Sequence, residues 1–390
     1  MIKLFYRCKN CLLPNTKPDL HFDEKGICMA CKYNEYYKSI DWDKRKFFFF
    51  DLIEKWKKKG SNDNYDCTIA VSGGKDSTYQ TYLITKILGL KPLLLSFEPS
   101  YPTEVGKANL QNLVDTFGCD LIQIKKSLIT YKKLARIGFD VVGDHEWPNH
   151  VGIFCWPIQM AGKLNIPVNF YGEPPGLIGL GRWERLVNEN SSELTENETH
   201  QYQGYNGYRI SDMMQYDKSI KPKDIIPYTY PSEEKLNGVK SLHLGSFFEW
   251  EFKKNLEIIK NFGFKTPDRS EGTFTNFEDI DCGFMSMHQY FKFIKYGYGR
   301  ATDHAAYEIR QGRMNKKQAK ELIIEYDGKV PVEYFKEFLK FLNITEDHFF
   351  KTRDRFTNPI LFKKDASNNI AYSNDKNLIP NQIWYDGFNV

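Results

Sequence analysis

The chain lacks any run of about 18 apolar residues, the length a helix needs to span a bilayer. Its opening, MIKLFYRCKNC, has no apolar stretch of the signal-peptide kind. A cytoplasmic protein without a membrane span is therefore expected, with cysteines kept as thiols or metal ligands rather than disulfides. A dominant charge is also missing. The 54 Lys and Arg against 50 Asp and Glu leave a net charge of +4, too little for the basic patch of a nucleic-acid binder, so no nucleic-acid partner is expected. There is no internal repeat, no G-x-x-x-x-G-K-[ST] nucleotide loop, and no G-x-C-x-G setting for a glutamine-hydrolysing cysteine. Apolar and aromatic residues, in contrast, are plentiful, at 41% and 15%. That excludes a mainly disordered chain. A length of 390 residues allows two or three domains at roughly 100–200 residues each.

Residues 1–40 hold four of the eight cysteines and form one expected module. Residues 41–65 are read as a helical linker, in which FFFFDLI at 47–53 is the start of a buried helix. From 66 the pattern alternates. Strands are expected over 66–71, 91–98, 120–125 and 166–171, and helices over 76–88, 103–117, 127–138 and 151–164. Such alternation predicts an α/β fold, a parallel sheet with helices on both faces. This domain is taken to run over 66–250, followed by a mostly helical substrate-binding region over 251–365 and an Asn-rich, extended or partly disordered tail over 366–390. The polar stretch 186–206 reads as a mobile loop or insertion. Ligands of parallel sheets bind beyond the C-terminal strand ends, where Ser72–Ser77, Glu98 and Gly172–Glu173 fall.

Cys8-x-x-Cys11 and Cys28-x-x-Cys31 form two pairs at the spacing of a four-thiolate zinc site, an iron–sulfur cluster being the alternative. Four thiolates leave no open position, so the expected role is structural. Cys67, Cys119, Cys155 and Cys282 stand apart and read as small core residues.

The most informative stretch is SGGKDS at 72–77, between a strand and a helix. Gly73 and Gly74 let backbone N–H groups converge on an anion, and the helix N-terminus adds partial positive charge. Ser72 and Ser77 offer hydroxyls. Asp76 repels a bare phosphate, but it suits a helix cap or a magnesium ion carried by that phosphate. The stretch resembles the pyrophosphate-binding PP-loop of ATP pyrophosphatases, which split ATP into AMP and pyrophosphate; Lys75 fills that motif's variable position.

Several longer segments resemble the N-acetyl sugar amidotransferases of bacterial surface-polysaccharide and nonulosonic-acid synthesis. They are RCKNCLLPNTKPDLHFDEKGICMACKYNE, SGGKDSTYQTYL, GDHEWPNHVGIFCWPIQMAGKLNIPVNFYGE, HLGSFFEWE and KYGYGRATDHAAYEIRQGRM. The resemblance implies ATP, Mg2+ and Zn2+ as cofactors and a nucleotide-sugar as substrate. It also implies a reaction: the sugar's acetamido oxygen attacks the α-phosphorus of ATP, pyrophosphate leaves, ammonia attacks the imidate carbon, and AMP departs from an acetamidino group. Ammonia would come from a separate glutaminase subunit.

On this reading Ser72, Gly73, Gly74, Lys75, Asp76, Ser77 and Glu98 bind nucleotide. Asp76, Glu173, His145 and His150 are the catalytic candidates, although His145 and His150 read equally as hydrogen-bonded loop histidines and Glu173 as an exposed carboxylate. Asp144, which flanks the same Trp-Pro turn as the two histidines, is a substrate-binding candidate; Arg300, Asp303, His304, Arg310 and Arg313 are candidates for holding the sugar's diphosphate or carboxylate, against a solvated basic helix face. Trp147, Trp183 and Trp250 suit core packing or stacking on a sugar or base. The rival readings are a tRNA-thiolating enzyme of the same loop class and a non-catalytic scaffold for zinc and nucleotide.

Overall fold

The computed structural model describes residues 5–57, 64–178 and 205–389; Trp183 and nearly all of the polar stretch 186–206 lie outside them. Two helices, α1 (Met29–Lys38) and α2 (Trp42–Lys57), precede the first strand. The alternating part then runs β1 (Cys67–Ala70), α3 (Lys75–Tyr82), β2 (Pro92–Phe97), α4 (Glu104–Phe117), β3 (Asp120–Ile124), α5 (Leu128–Ile137), α6 (Trp147–Lys163), β4 (Val168–Tyr171) and β5 (Lys240–His243). The five strands pair in parallel in the order β3-β2-β1-β4-β5. Four of them match the expected runs; β5 was not anticipated.

The central strands β1, β2 and β4 are buried on both sides, as their apolar residues require, while the edge strand β3 is half-exposed. β2 shows how. Leu93, Leu95 and Phe97 share a core with α5 and α6, while Leu94 faces the opposite core, with Ile69, Val168 and Phe170. That second core is closed by α2, α3, α4 and α7 (Phe252–Lys260). In FFFFDLI only part of the run is buried. Phe49 packs against Phe170, Phe247 and Phe248, whereas Phe47 and Phe50 are exposed.

Five helices follow: α8 (Met285–Tyr296), α9 (Arg300–Arg310), α10 (Lys316–Tyr326), α11 (Phe335–Leu342) and α12 (Glu346–Phe356). Their Phe291, Phe338 and Phe349 pack on Phe139, just beyond α5, so the helical region continues the sheet's own core. The Asn-rich end forms antiparallel bridges, Lys364 to Ile370 and Tyr372 to Leu378, and closes with α13 (Gln382–Asp386). There Trp384 is buried and its indole N–H donates to the Gly297 carbonyl at 2.7 Å.

The cysteine module docks on α8 and α9. The Arg7 guanidinium lies 4.2 Å from the Phe388 ring centre and donates to the carbonyls of Leu12 and Gly297. Lys17 and Lys292 both pair with Asp303.

Candidate active site and metal centre

Strand order reverses between β1 and β4, since β2 and β3 lie to one side of β1 and β4 and β5 to the other. A crevice outside the carboxyl ends of the strands is expected at such a point. A cleft of about 350 Å³ opens there. The loop after β1 supplies Ser72, Gly74, Lys75, Asp76 and Ser77 to its wall. Gly172 and Glu173 come from the end of β4, His243 from β5, and Phe277–Asp281 from a loop that caps it.

The loop's shape depends on glycine. Gly73 has φ +87°, and a Cβ there would lie 2.4 Å from the Gly106 carbonyl oxygen. Gly106 in turn lets the capping loop approach, because its own Cβ would come within 2.7 Å of Asp281 Cα. Helix α3 begins at Gly74, which has no side chain to cap it. The first-turn N–H groups therefore have no side-chain cap at the cleft wall. Ser72 Oγ accepts from Gly74 N at 3.3 Å, and Ser77 Oγ donates to the Gly74 carbonyl at 3.0 Å.

Lys75 is buried, its ammonium 2.6 Å from Asp76 Oδ1, 3.3 Å from Glu278 Oε1 and 4.2 Å from the Phe252 ring centre. Burial opposes its charge, but Asp76, Glu278 and Glu173 outweigh that and hold its pKa above the usual lysine range. Trp250 Nε1 donates to Asp76 Oδ1 at 3.1 Å. Burial raises the Asp76 carboxyl, with Lys75 acting against it. Burial and then Asp76 push Glu173 up to about 7. Burial pushes Asp281 to about 6, eased by a hydrogen bond from Ser72. The cleft thus combines a glycine loop and a helix start without a side-chain cap with carboxylates that a bound cation would stabilise in their charged form.

The other candidates separate. Arg300 makes a two-pronged pair with Asp279, at 2.9 and 2.5 Å, and so stands behind the cleft wall. His304 Nδ1 lies 2.8 Å from Thr273 Oγ1, and burial lowers its pKa to about 3, so it stays neutral. Three substrate-binding candidates and the catalytic candidate His145 have partners elsewhere in the fold. Asp303 is taken up by Lys17 and Lys292. Arg313 is held by Glu308 and Glu251. Arg310 is buried beside the cysteine cluster, its charge favoured by Cys11, Cys28 and Cys31 against the penalty of burial. His145 is a core residue, 3.2 Å from Glu146 Oε1 and edge-on to Phe338. Glu98 follows β2 and does not line the cleft; its carbonyl accepts from Lys126 Nζ.

Asp144 and His150 meet a residue that sequence reading missed, His288. His288 Nδ1 is 2.8 Å from Asp144 Oδ1. Burial opposes the Asp144 charge, but His288, His150 and Lys295 hold its pKa far below the carboxylate range. Trp147 and Trp250 are buried in the core, although Trp250 also reaches Asp76. The capping residues Glu278, Asp279 and Asp281 were missed too; the acidic run in NFEDIDCG was their only signal.

The four N-terminal cysteines converge, all buried. Their Sγ atoms stand 3.8 Å apart for Cys8 and Cys31, 3.5 Å for Cys11 and Cys28, and 3.7 Å for Cys28 and Cys31. A tetrahedral ion with Zn–S bonds of about 2.3 Å sets sulfurs roughly 3.8 Å apart, so the cluster can hold a metal such as zinc. Cys28 N donates to Cys8 Sγ and Asn10 Nδ2 to Cys31 Sγ, and such N–H···S bonds support thiolate charge. The remaining cysteines are buried thiols; burial pushes Cys119 up to about 11 and Cys155 to about 12.

Residues 271–374 match a family model described as LPS biosynthesis protein WbpG-like, C-terminal domain. That segment contains the loop capping the cleft and helices α8 to α12. Over a longer span the chain is similar to an uncharacterized protein of Methanocaldococcus jannaschii, 21% identical over 333 residues, covering 85% of this chain and 97% of that protein. Among the described residues, no helix is long and apolar enough to cross a membrane.

Proposed function

We propose that the protein acts in lipopolysaccharide or related surface-polysaccharide biosynthesis as an ATP-dependent, AMP-forming amidotransferase. It would convert an acetamido group of a nucleotide-sugar to an acetamidino group, with ammonia from a partner glutaminase. The observation that carries this reading is the Ser72–Ser77 loop at the β1/β4 reversal, opening on a carboxylate-lined cleft. The similarity of residues 271–374 to a lipopolysaccharide-biosynthesis domain supports the substrate class. The isolated cysteines Cys67, Cys119, Cys155 and Cys282 are buried, which disfavours a thiolation that would carry sulfur on one of them.

In this scheme the N–H groups at the start of α3, with Ser72 and Ser77, bind the pyrophosphate that leaves. Asp76, with Asp281, would hold Mg2+, which supplies charge neutralisation on the phosphates. An amide oxygen is a weak nucleophile, so alignment and electrostatics must provide most of the rate. Glu173, with a proton affinity near neutrality, is matched to take the proton that ammonia loses as it attacks.

The decisive assay supplies ATP, Mg2+ and ammonium with a panel of diacetamido nucleotide-sugars or with bulk tRNA. Sugar-dependent AMP release, with a sugar product one mass unit lighter as NH replaces O, is the expected result. AMP release with tRNA alone would overturn it.

Glu173 also gives a pH prediction. Its folded pKa of about 7 lies above the ordinary carboxyl value of 4.5, so the folded state holds its proton more tightly than the unfolded chain. The stability this contributes is complete below about pH 4.5 and is lost as pH rises through about 7. Glu173→Gln should therefore raise the melting temperature at pH 8 and change it little at pH 4.5. Equal shifts at both pH values would contradict the assignment.

A further inference from the structure

We infer that Asp144, His150 and His288 form a second metal site, one that takes a single zinc-class divalent ion. This does not depend on which reaction the cleft carries. One ligating atom from each of the three lies within 4.8 Å of the other two. Asp144 is fixed by the turn before α6. Its Oδ1 accepts from Glu146 N at 3.0 Å and lies 2.8 Å from His288 Nδ1, and its Oδ2 accepts from Asn206 Nδ2 at 3.1 Å. Two ligands of one tetrahedral ion, with bonds of about 2.0–2.1 Å, sit roughly 3.4 Å apart. The Asp144–His288 pair, at 2.8 Å, needs to open by only about half an ångström to reach that spacing.

His150 is oriented independently. Its Nδ1 is 3.1 Å from the Glu146 carbonyl oxygen, which can only accept, so Nδ1 carries the proton and Nε2 is the nitrogen left to bind. This is the arrangement by which proteins set the tautomer of a ligating histidine. The ring stacks on Tyr205 at 4.8 Å and 11° and lies 5.0 Å from the His288 ring. The second imidazole thus comes from a different helix, α8, with its ring tilted 44° to that of His150, so the two are brought together by tertiary packing. Two imidazoles and one carboxylate favour zinc, iron or cobalt over magnesium or calcium. Three protein ligands leave the ion an open position, unlike the closed four-cysteine cluster.

The location gives that open position a use. His150 precedes Ile153 and Phe154 by three and four residues on α6, so all three share one helix face, and Ile153 and Phe154 line the cleft. An ion here would lie one helical turn along from the cleft, where it could take an oxygen of a bound substrate.

The test is metal stoichiometry of the full chain, dialysed against micromolar zinc and measured by plasma mass spectrometry. About two equivalents are expected, one per cluster. His150→Ala and His288→Ala should each lose one and keep the cysteine-bound ion. Cobalt-loaded protein should keep its thiolate charge-transfer bands in both variants and lose only the weaker visible absorption of the second site. A single equivalent in the wild-type protein would overturn the inference, and that measurement stands even if a variant misfolds. A second equivalent lost in Asp76→Asn but kept in the histidine variants would overturn it as well.

Discussion

Asp76→Asn is expected to lower AMP formation by about 10²–10³-fold, the loss typical of removing one placed electrostatic group, with ATP binding largely kept. The substitution preserves size, and the amide oxygen can still accept from Trp250 Nε1. It removes the charge that pairs with Lys75 at 2.6 Å and the carboxylate proposed to hold the phosphate-bound cation. The magnesium concentration needed for half-maximal rate should rise together with the fall in kcat. Gly73→Ala provides the contrast. Its Cβ would meet the Gly106 carbonyl at 2.4 Å from a backbone at φ +87°, so the loop must shift and ATP binding itself should be lost. Nucleotide titration by calorimetry separates the two variants. Full turnover in Asp76→Asn would remove Asp76 from the reaction.

The parts of this architecture that were legible in sequence are the locally encoded ones. β1 to β4 are apolar runs closed by turn residues, and the glycine loop after β1 is contiguous. β5 was not legible, because KSLH is short and half polar, and the sequence before it is polar. It becomes a strand by pairing with β4. The start of α6 was set too late because Pro148 in WPNH reads as a breaker. Proline is tolerated in a helix's first turn, where its missing N–H has no partner to lose, and the helix begins at Trp147.

At the site, the loop was visible but its surroundings were not. Glu278 and Asp281 reach the cleft from far along the chain, and His288 reaches Asp144 from α8. The partners of the arginines at the end of α9 were not legible either. Arg310 lies beside the cysteine module, and Arg313 pairs with Glu251, distant in sequence, as well as with Glu308 five residues away. Charge in a sequence shows what a residue offers, and only the tertiary fold shows whether that offer is already taken.

The second large effect concerns the cysteine cluster. Cys11→Ser should destabilise the whole chain rather than the N-terminal module alone. The module's own apolar core is small, made of Leu13, Leu20 and Ala30 around the cysteines with Ala306 from α9. Structural zinc in such modules is worth on the order of 10–16 kcal/mol in isolated peptides, comparable to the roughly 5–15 kcal/mol that holds a typical domain folded. Loss of the ion would leave Arg310 buried without its thiolate partners, and an uncompensated buried charge is strongly destabilising. It would also release Arg7 from Gly297 and the aromatic rings of Trp384 and Phe388, and Lys17 from Asp303. Those contacts bind the module to α8, α9 and the end of the chain, so unfolding should spread into the helical region that carries the cleft's cap. On heating with a strong chelator, zinc release followed with a chromophoric indicator should coincide with loss of the near-ultraviolet circular dichroism of these aromatics. Cys67→Ser, at a buried cysteine outside the cluster, should leave zinc content unchanged. A Cys11→Ser protein that melted like the wild type and kept its full zinc content would show that the cluster does not hold zinc.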